Sequence, residues 1–405
     1  MRRVVVTGLG AVTPLGLDVK TTWAAMLAGI NGIAPITRYD TTEHKTKLAA
    51  EVKGFDAEKH FDRMEARKLD LFSQYAIVAA TEAVKDSGIV VAPEKFGVYV
   101  GSGVGGINTT AAACDTFREK GSGRISAALV PMIIANIAAA HIAIKFNCKG
   151  MNLPIVTACA TGAHSIGEAF IAIKAGTADA IIAGGTEACI NPIAMAGFAN
   201  MMALSPSSDP NAASLPFDKR RNGFVMGEGA GILVLEEYEH AKARGAKIYC
   251  EVVGYGNTCD AFHITAPEAN ADGLVRALRA AVEMAGVKDS EKIYFNAHGT
   301  GTELNDKAET FAIKQVFGNK SFPVSSTKSM TGHMIGATGA VEAIAAIKAL
   351  TDGKIPPTIN LEVADHECDL DFVPRNMRKY KADVAVSTNL GFGGHNAALV
   401  FRRIK

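Results

Sequence analysis

The sequence predicts an α/β protein in which helices pack on sheets, and three observations point that way. Short β-rich runs alternate with Ala-rich helical stretches along the whole chain. Many of the 40 glycines fall at strand ends, where a tight turn brings backbone close to a ligand or a neighbouring helix. One segment also recurs: Glu168–Ala175 reads EAFIAIKA and Glu342–Ala349 reads EAIAAIKA, identical at six of eight positions. Each follows a strand, a turn and a Gly/Thr/His-rich helix start, which predicts two duplicated α/β halves.

In chain order, the first strand covers Arg3–Thr7 within VVVTGLGAVTPLG. Gly8, Gly10 and Pro14 break the apolar run too early for a secretory signal, so a strand and turn are expected. Gly97–Gly101 is the second strand, and it leads into GSGVGG at 101–106. The longest apolar stretch, Ala127–Ile144, contains Pro131, Asn136 and His141. It is too interrupted to span a membrane and predicts a buried helix starting near Pro131. Ile155–Ala158 reads as a strand running into a helix that ends near Gly176. Ala180–Ala183 and Gly231–Glu236 follow, then the charged segment Glu236–Lys247, which places a junction between residues 1–247 and 248–405. The second part carries runs at Tyr249–Gly254, Lys292–Ala297, Val384–Thr388 and Ala397–Phe401.

Composition removes several function classes. With 42 basic and 41 acidic side chains among 405 residues, the chain lacks the basic excess of a non-specific nucleic-acid binder. A local basic patch facing an acidic partner remains open. The seven cysteines (114, 148, 159, 189, 250, 259, 368) are widely spaced without a CxxC pair. That argues against a zinc site or disulfide framework and for a reducing compartment, the cytoplasm or an organelle interior.

The chemistry-bearing motifs are few. In Thr157-Ala158-Cys159-Ala160-Thr161-Gly162, Cys159 sits where a strand enters a helix. Free N–H groups and the helix dipole there favour thiolate over thiol, and the same N–H groups suit an oxyanion. Alone, such a cysteine reads as a packing residue. Two histidines change the reading: His298 in NAHGTGT and His333 in STKSMTGH, both in small-residue loops after strands, with Lys328 beside the second. A cysteine hydrolase needs one histidine. Two neutral imidazoles can both donate to one carbonyl oxygen and stabilise the enolate left when a malonyl-type thioester loses CO2. That enolate can attack an acyl group held on Cys159. Lys328 and Glu342 form a supporting ion pair if the intervening loop folds back.

At these residues the sequence resembles the β-ketoacyl-acyl-carrier-protein synthases, in the elongating type II branch of the thiolase-like superfamily. The motifs run in order from VVVTGLGAVTPLG through TACATGAH, PFDKRRNGFVMGEGAG (216–231), NAHGTGTELND (296–306) and STKSMTGHMIGATGA (326–340) to NLGFGGHNAALVF (389–401). The resemblance implies a thiolase-like, five-layered α-β-α-β-α fold and a homodimer. It implies acyl transfer to Cys159, decarboxylation at His298 and His333, and support from Lys328, which orders the site around His333, and from Glu342. It assigns the oxyanion hole to the N–H groups of Cys159 and Phe392, with Phe392 also the gate. Thr265, Thr300 and Thr302 would bind the phosphopantetheine arm, and Val104, Leu129 and Phe198 would line the acyl pocket. Arg67, Lys68 and Arg124 would dock the acidic carrier protein. No cofactor is required beyond the phosphopantetheine that arrives on the carrier, and neither a metal, a nucleic acid nor a membrane is expected as a partner.

Glu303, Leu215, Leu129 and Met202 depart from that family's common Pro, Arg, Phe and Arg, which bears on chain length and carrier affinity. A ketosynthase of a type II polyketide pathway would use the same catalytic residues and is the alternative. GSGVGG fits a dinucleotide fingerprint by pattern, but an NAD(P) enzyme leaves every other motif unexplained. Cys189, His164 and His395 read as structural, and Arg220–Arg221 as solvated surface charges.

Overall fold

The computed structural model describes residues 2–318 and 320–404. Its frame is a nine-stranded mixed sheet of β1 (Val4–Val12), β2 (Phe96–Gly101), β3 (Ala180–Glu187), β4 (Gly229–Glu237), β5 (Cys250–Cys259), β6 (Ile293–Asn296), β7 (Val324–Ser325), β8 (Val384–Gly391) and β9 (His395–Arg402). The spatial order is β2-β3-β4-β1-β5-β9-β8-β6-β7. From the middle outwards the two sides repeat. β1 pairs antiparallel with β4 as β5 does with β9, and β4 pairs antiparallel with β3 as β9 does with β8. β3 then pairs parallel with β2, as β8 does with β6. The two sides meet where Val4–Val6 pair antiparallel with Cys250–Val252.

Among the described residues, seven helices of ten residues or more accompany the sheet: α1 (Leu71–Ser87), α2 (Ile107–Lys120), α3 (Ile137–Phe146), α4 (Thr161–Lys174), α5 (Asp272–Ala285), α6 (Glu303–Phe317) and α7 (Thr338–Asp352). α4 and α7 lie against each other and against strands of both sides, burying the central apolar cluster. α1 and α3 cover the outer face of one side, and α5 and α6 that of the other. The result is five layers, α-β-α-β-α, as the resemblance implies. Strands so enclosed are buried on both faces, as β1 is at all nine residues.

Glycines mark the same joint in each side. A Cβ on Gly8 or Gly10 of β1 would lie 2.1 and 1.9 Å from the Ala83 and Ala79 carbonyls of α1. A Cβ on Gly254 or Gly256 of β5 would lie 2.1 and 1.9 Å from the Ala281 and Ala277 carbonyls of α5. Only glycine lets strand and helix approach that closely.

Three expectations need correction. The duplication is present, but the EAFIAIKA/EAIAAIKA echo is three residues out of structural register. The equivalent helices start at Thr161 and Thr338, each after a 3₁₀ turn whose first residue has positive φ, Ala158 at 49° and Ile335 at 40°. Ala-rich helices repeat similar octapeptides at more than one offset; the turn geometry is what fixes the alignment. Ile155–Ala158 is not a strand: the segment before Cys159 bridges β2 only earlier, at Asn152, and the chain then enters the 3₁₀ turn Ala158–Ala160. Ala127–Ile144 is not one buried helix either. A five-residue helix, Leu129–Ile133, has no buried residue and is separated from α3, while Val130 and Ile144 are 61% and 79% exposed.

Candidate active site

Cys159 lies in the 3₁₀ turn that opens α4, at the centre of the molecule. The left-handed Ala158 just before it turns the chain sharply from the extended segment into the helix. Gly162 and Gly339 let the starts of α4 and α7 touch: a Cβ on either would come within 2.7 and 2.6 Å of the partner helix's backbone nitrogens at Ala340 and Ala163. His298 leaves the end of β6, and His333 follows the short helix Lys328–Thr331 after β7.

These pieces converge on one cavity of about 800 Å³. It is lined by Cys159, His298, His333, Phe392, Phe198, Thr265, Thr300 and Thr302 among others. Eight of the candidate site residues therefore share a wall. Lys328 and Glu342 lie behind it, each side chain 1% exposed. Val104 and Leu129 do not line it. Arg67, Lys68 and Arg124 are exposed and, among the described residues, form no ion pair.

The two imidazole rings stand 5.3 Å apart and nearly perpendicular, both 2% exposed. Burial holds both well below the usual histidine range, and the Lys328 charge pushes in the same direction. Both are neutral at pH 7. Hydrogen bonding also fixes the His298 tautomer. Lys328 Nζ donates to its Nδ1 at 3.2 Å and Asn389 Nδ2 approaches the same atom at 3.4 Å, so Nδ1 accepts and Nε2 carries the proton. His333 Nδ1 is 2.9 Å from Thr338 Oγ1.

Lys328 reaches Glu342 Oε1 at 2.5 Å and also donates to the His298 carbonyl. The loop does fold back as an ion pair requires. The lysine's hydrogen bonds, however, go to His298, and His333 feels only its charge; this corrects the expectation that Lys328 orders the site around His333. Asn389 Nδ2 donates to Glu342 Oε2 at 2.7 Å, and Glu309 accepts from the His298 and Gly299 N–H groups at 2.7 Å each. Sequence reading missed both. Asn389 stood in a quoted motif with no reason to single it out, and Glu309 lies inside a helix with no local signal.

Cys159 also corrects an expectation. Burial pushes its thiol up to about 12, outweighing Lys328 and the N–H groups of Phe392 and Cys159, which pull it down. The resting residue is a thiol. The two N–H groups act on the sulfur together, one from the turn before α4 and one from the β8–β9 turn. Gly391 permits that approach, since a Cβ there would lie 2.5 Å from the Thr157 carbonyl and 3.3 Å from Cys159 N. Phe392 stacks on Phe198, centroids 6.3 Å apart, at the cavity wall.

The glycine-rich GSGVGG loop already holds a carboxyl group, which burial raises to about 7. Glu187 accepts from Ser102 Oγ and Gly103 N at 2.8 Å, from Val104 N at 3.3 Å and from Gly336 N at 3.1 Å. The donors a dinucleotide phosphate would need are already used. Arg221 corrects another reading. It is no solvated surface charge, because its side chain is 2% exposed and bonded to Asp365 at 2.6 Å; Arg220 is the exposed member. Among the described residues no three His, Cys, Asp or Glu side chains cluster as metal ligands. Asn296 Oδ1, Ser387 Oγ and Asn389 Oδ1 are buried and, among the described residues, have no hydrogen-bond partner.

A buried cysteine facing two neutral histidines, on a duplicated five-layered frame, defines a carbon–carbon condensing enzyme. Residues 1–241 match the family model "Beta-ketoacyl synthase, N-terminal domain" and residues 249–362 match "Beta-ketoacyl synthase, C-terminal domain". The chain belongs to the β-ketoacyl synthase family. Over its full length it is 51% identical to the 3-oxoacyl-[acyl-carrier-protein] synthase 2 of Staphylococcus aureus, covering 99% of that protein. Its fold matches a crystal structure of a β-ketoacyl synthase from Burkholderia phymatum, with TM-score 0.93 and 36% identity over all of both chains. It also matches a type II polyketide ketosynthase solved with its acyl-carrier protein, with TM-score 0.90 and 32% identity over all of both chains. The full-length likeness at 51% places it with the type II, elongating acyltransferases of fatty-acid synthesis, and the polyketide enzymes are more distant. Among the described residues no helix is long and apolar enough to cross a membrane.

Proposed function

We propose that the chain extends carrier-bound acyl groups by decarboxylative Claisen condensation, with Cys159 as acyl holder and His298 and His333 as the decarboxylation pair. The observation that carries this is the pair of buried, neutral imidazoles opposite Cys159 in one cavity. In the first step the Cys159 sulfur attacks the acyl thioester, and the thiol proton leaves with the departing pantetheine thiol. The N–H groups of Cys159 and Phe392 hold the oxyanion. In the second step His298, donating through Nε2–H, and His333 hold the malonyl thioester oxygen while CO2 departs. The enolate then attacks the acyl carbonyl on Cys159, and the tetrahedral oxyanion returns to the same N–H pair. Collapse releases 3-oxoacyl-carrier and expels the Cys159 thiolate, which takes a proton from solvent. Lys328 and Glu342 fix the His298 tautomer and ring.

The remaining assignments form part of the same reading. Thr265, Thr300 and Thr302 contact the pantetheine arm; the Thr300 and Thr302 hydroxyls lie 2.9 Å apart on the cavity wall. Phe392 gates the entrance. Arg67, Lys68 and Arg124 dock an acidic carrier protein. Phe198 lines the acyl pocket from the cavity wall, and the family resemblance adds Val104 and Leu129, which lie outside that cavity. Leu153 and Val156, each 50% exposed on an extended segment beyond β2, and the exposed Val130 and Ile144 support a homodimer that covers them. The halves divide near residue 247. The reaction runs in the cytoplasm, with no cofactor beyond the carrier's own arm.

The decisive assay combines the protein with acyl- and malonyl-loaded carrier proteins and follows 3-oxoacyl product and CO2 by mass. Formation of both is expected. Absence of both from a protein whose Cys159 still takes up an acyl group would overturn the reading.

A further inference from the structure

His164, one turn into α4, has no part in the chemistry above, yet its two ring nitrogens join the two chain segments that carry the oxyanion donors. It is 1% exposed. Its Nδ1 lies 2.7 Å from Thr157 Oγ1, two residues before Cys159. Its Nε2 lies 3.3 Å from the carbonyl of Asn396, four residues after Phe392. A carbonyl can only accept, so Nε2 carries the proton, Nδ1 is the acceptor and the Thr157 hydroxyl donates. Burial is the main cause that lowers the ring to about 4, so this neutral tautomer persists across the working pH range.

The two segments otherwise belong to different sides of the frame. Thr157 leads into the strained Ala158 turn that aims the Cys159 N–H, and Asn396 is the second residue of β9, directly after the turn that aims the Phe392 N–H. An oxyanion hole works only while its donors keep a fixed separation around the developing charge, and a displacement of about 1 Å can cost on the order of a hundredfold in rate. Locally the Cys159 turn is held by Thr157 N donating to Thr161 Oγ1 at 2.9 Å and Ala160 N donating to the Thr157 carbonyl at 3.1 Å, both within its own segment. The bond through His164 ties that segment to β9. Tyr255 packs edge-on against the imidazole with ring centroids 6.2 Å apart, and His395 does so at the same distance, so the ring has little freedom to turn.

We infer that His164 is a positioning residue that sets the spacing of the Cys159 and Phe392 N–H groups by bridging Thr157 to Asn396. The inference rests on the proposed oxyanion role of those two groups. Its signature follows from transition-state binding: a mis-spaced hole slows acyl transfer to Cys159 without weakening substrate binding. Malonyl decarboxylation, which depends on His298 and His333, is spared.

The test is His164→Phe, which keeps the ring volume and removes both hydrogen bonds. Single-turnover acylation of Cys159 by an acyl-pantetheine thioester should fall about tenfold to a hundredfold, with KM within about twofold. His164→Gln offers one acceptor and one donor at similar separation and should recover most of the rate. In a Cys159→Gln background, His164→Phe should leave CO2 release from malonyl-pantetheine unchanged. Wild-type acylation by His164→Phe, or a parallel loss of acylation and decarboxylation, would overturn the inference. If His164→Phe fails to fold, Thr157→Val removes the hydroxyl alone and must show the same selective slowing for the inference to stand. Failure of the wild-type chain to accept any acyl group would instead sink the proposed function.

Discussion

Replacing Lys328 with methionine tests the site where stability and chemistry meet. Methionine approximates the lysine's length and cannot hydrogen-bond, so Lys328→Met removes three contacts: Glu342 Oε1, His298 Nδ1 and the His298 carbonyl. Glu342 is left buried with Asn389 Nδ2 as its remaining donor. Breaking one member of a buried ion pair costs about 3–5 kcal/mol, because the other charge stays desolvated. Glu342 can escape by taking up a proton. Burial already raises its carboxyl, and loss of the Lys328 charge raises it further.

The sign follows from linkage. A carboxyl raised in the folded state binds more protons folded than unfolded between its unfolded value, about 4.3, and its folded value. The variant's deficit is therefore small near pH 4–5 and grows to its full size as pH rises past the folded value. Urea unfolding of wild type and Lys328→Met at one protein concentration, at pH 5 and pH 8, reads this directly. The chemical effect is separate. His298 loses its nearer Nδ1 donor, and both histidines lose a charge that held them low, so the acid limb of malonyl decarboxylation should move to higher pH. Lys328→Met combined with Glu342→Gln should recover most of the stability at pH 8 but not the decarboxylation. An unchanged urea midpoint at pH 8, or an unshifted pH–rate profile, would refute the reasoning.

Other outcomes test separate parts of the site. Cys159→Ala should abolish condensation, whereas Cys159→Gln should retain malonyl decarboxylation, measured as CO2, because its side chain imitates the acylated cysteine and the histidines remain. His333→Ala should lower condensation at least tenfold; wild-type turnover would remove its assigned role. Gly391→Ala should slow Cys159 acylation at least tenfold in single-turnover mass measurements, since the added Cβ would meet the Thr157 carbonyl at 2.5 Å and force the Phe392 turn outward. Arg67→Glu with Lys68→Glu should raise KM for carrier-bound substrate and flatten its salt dependence, leaving turnover of pantetheine thioesters unchanged.

The sequence alone carried the class of fold, the order of motifs and eight of the side chains that line the cavity. Strand and helix periods are local, and a cysteine or histidine in a glycine-rich loop after a strand is visible without coordinates. Cys159, His298 and His333 were legible for that reason. Tertiary structure decided what surrounds each of them. The true alignment of the two halves rests on the turns at Ala158 and Ile335 rather than on the octapeptide echo. Lys328 serves His298, Glu309 and Asn389 hold the site from other elements, and Arg221 is buried, all through contacts between residues far apart in the chain. Protonation belongs to the same category. The helix start at Cys159 suggests a thiolate, but desolvation by the whole molecule outweighs a local dipole, and the same burial keeps the imidazoles of His298 and His333 neutral. Local pattern selects which residues can act; the packed interior sets their charge and their partners.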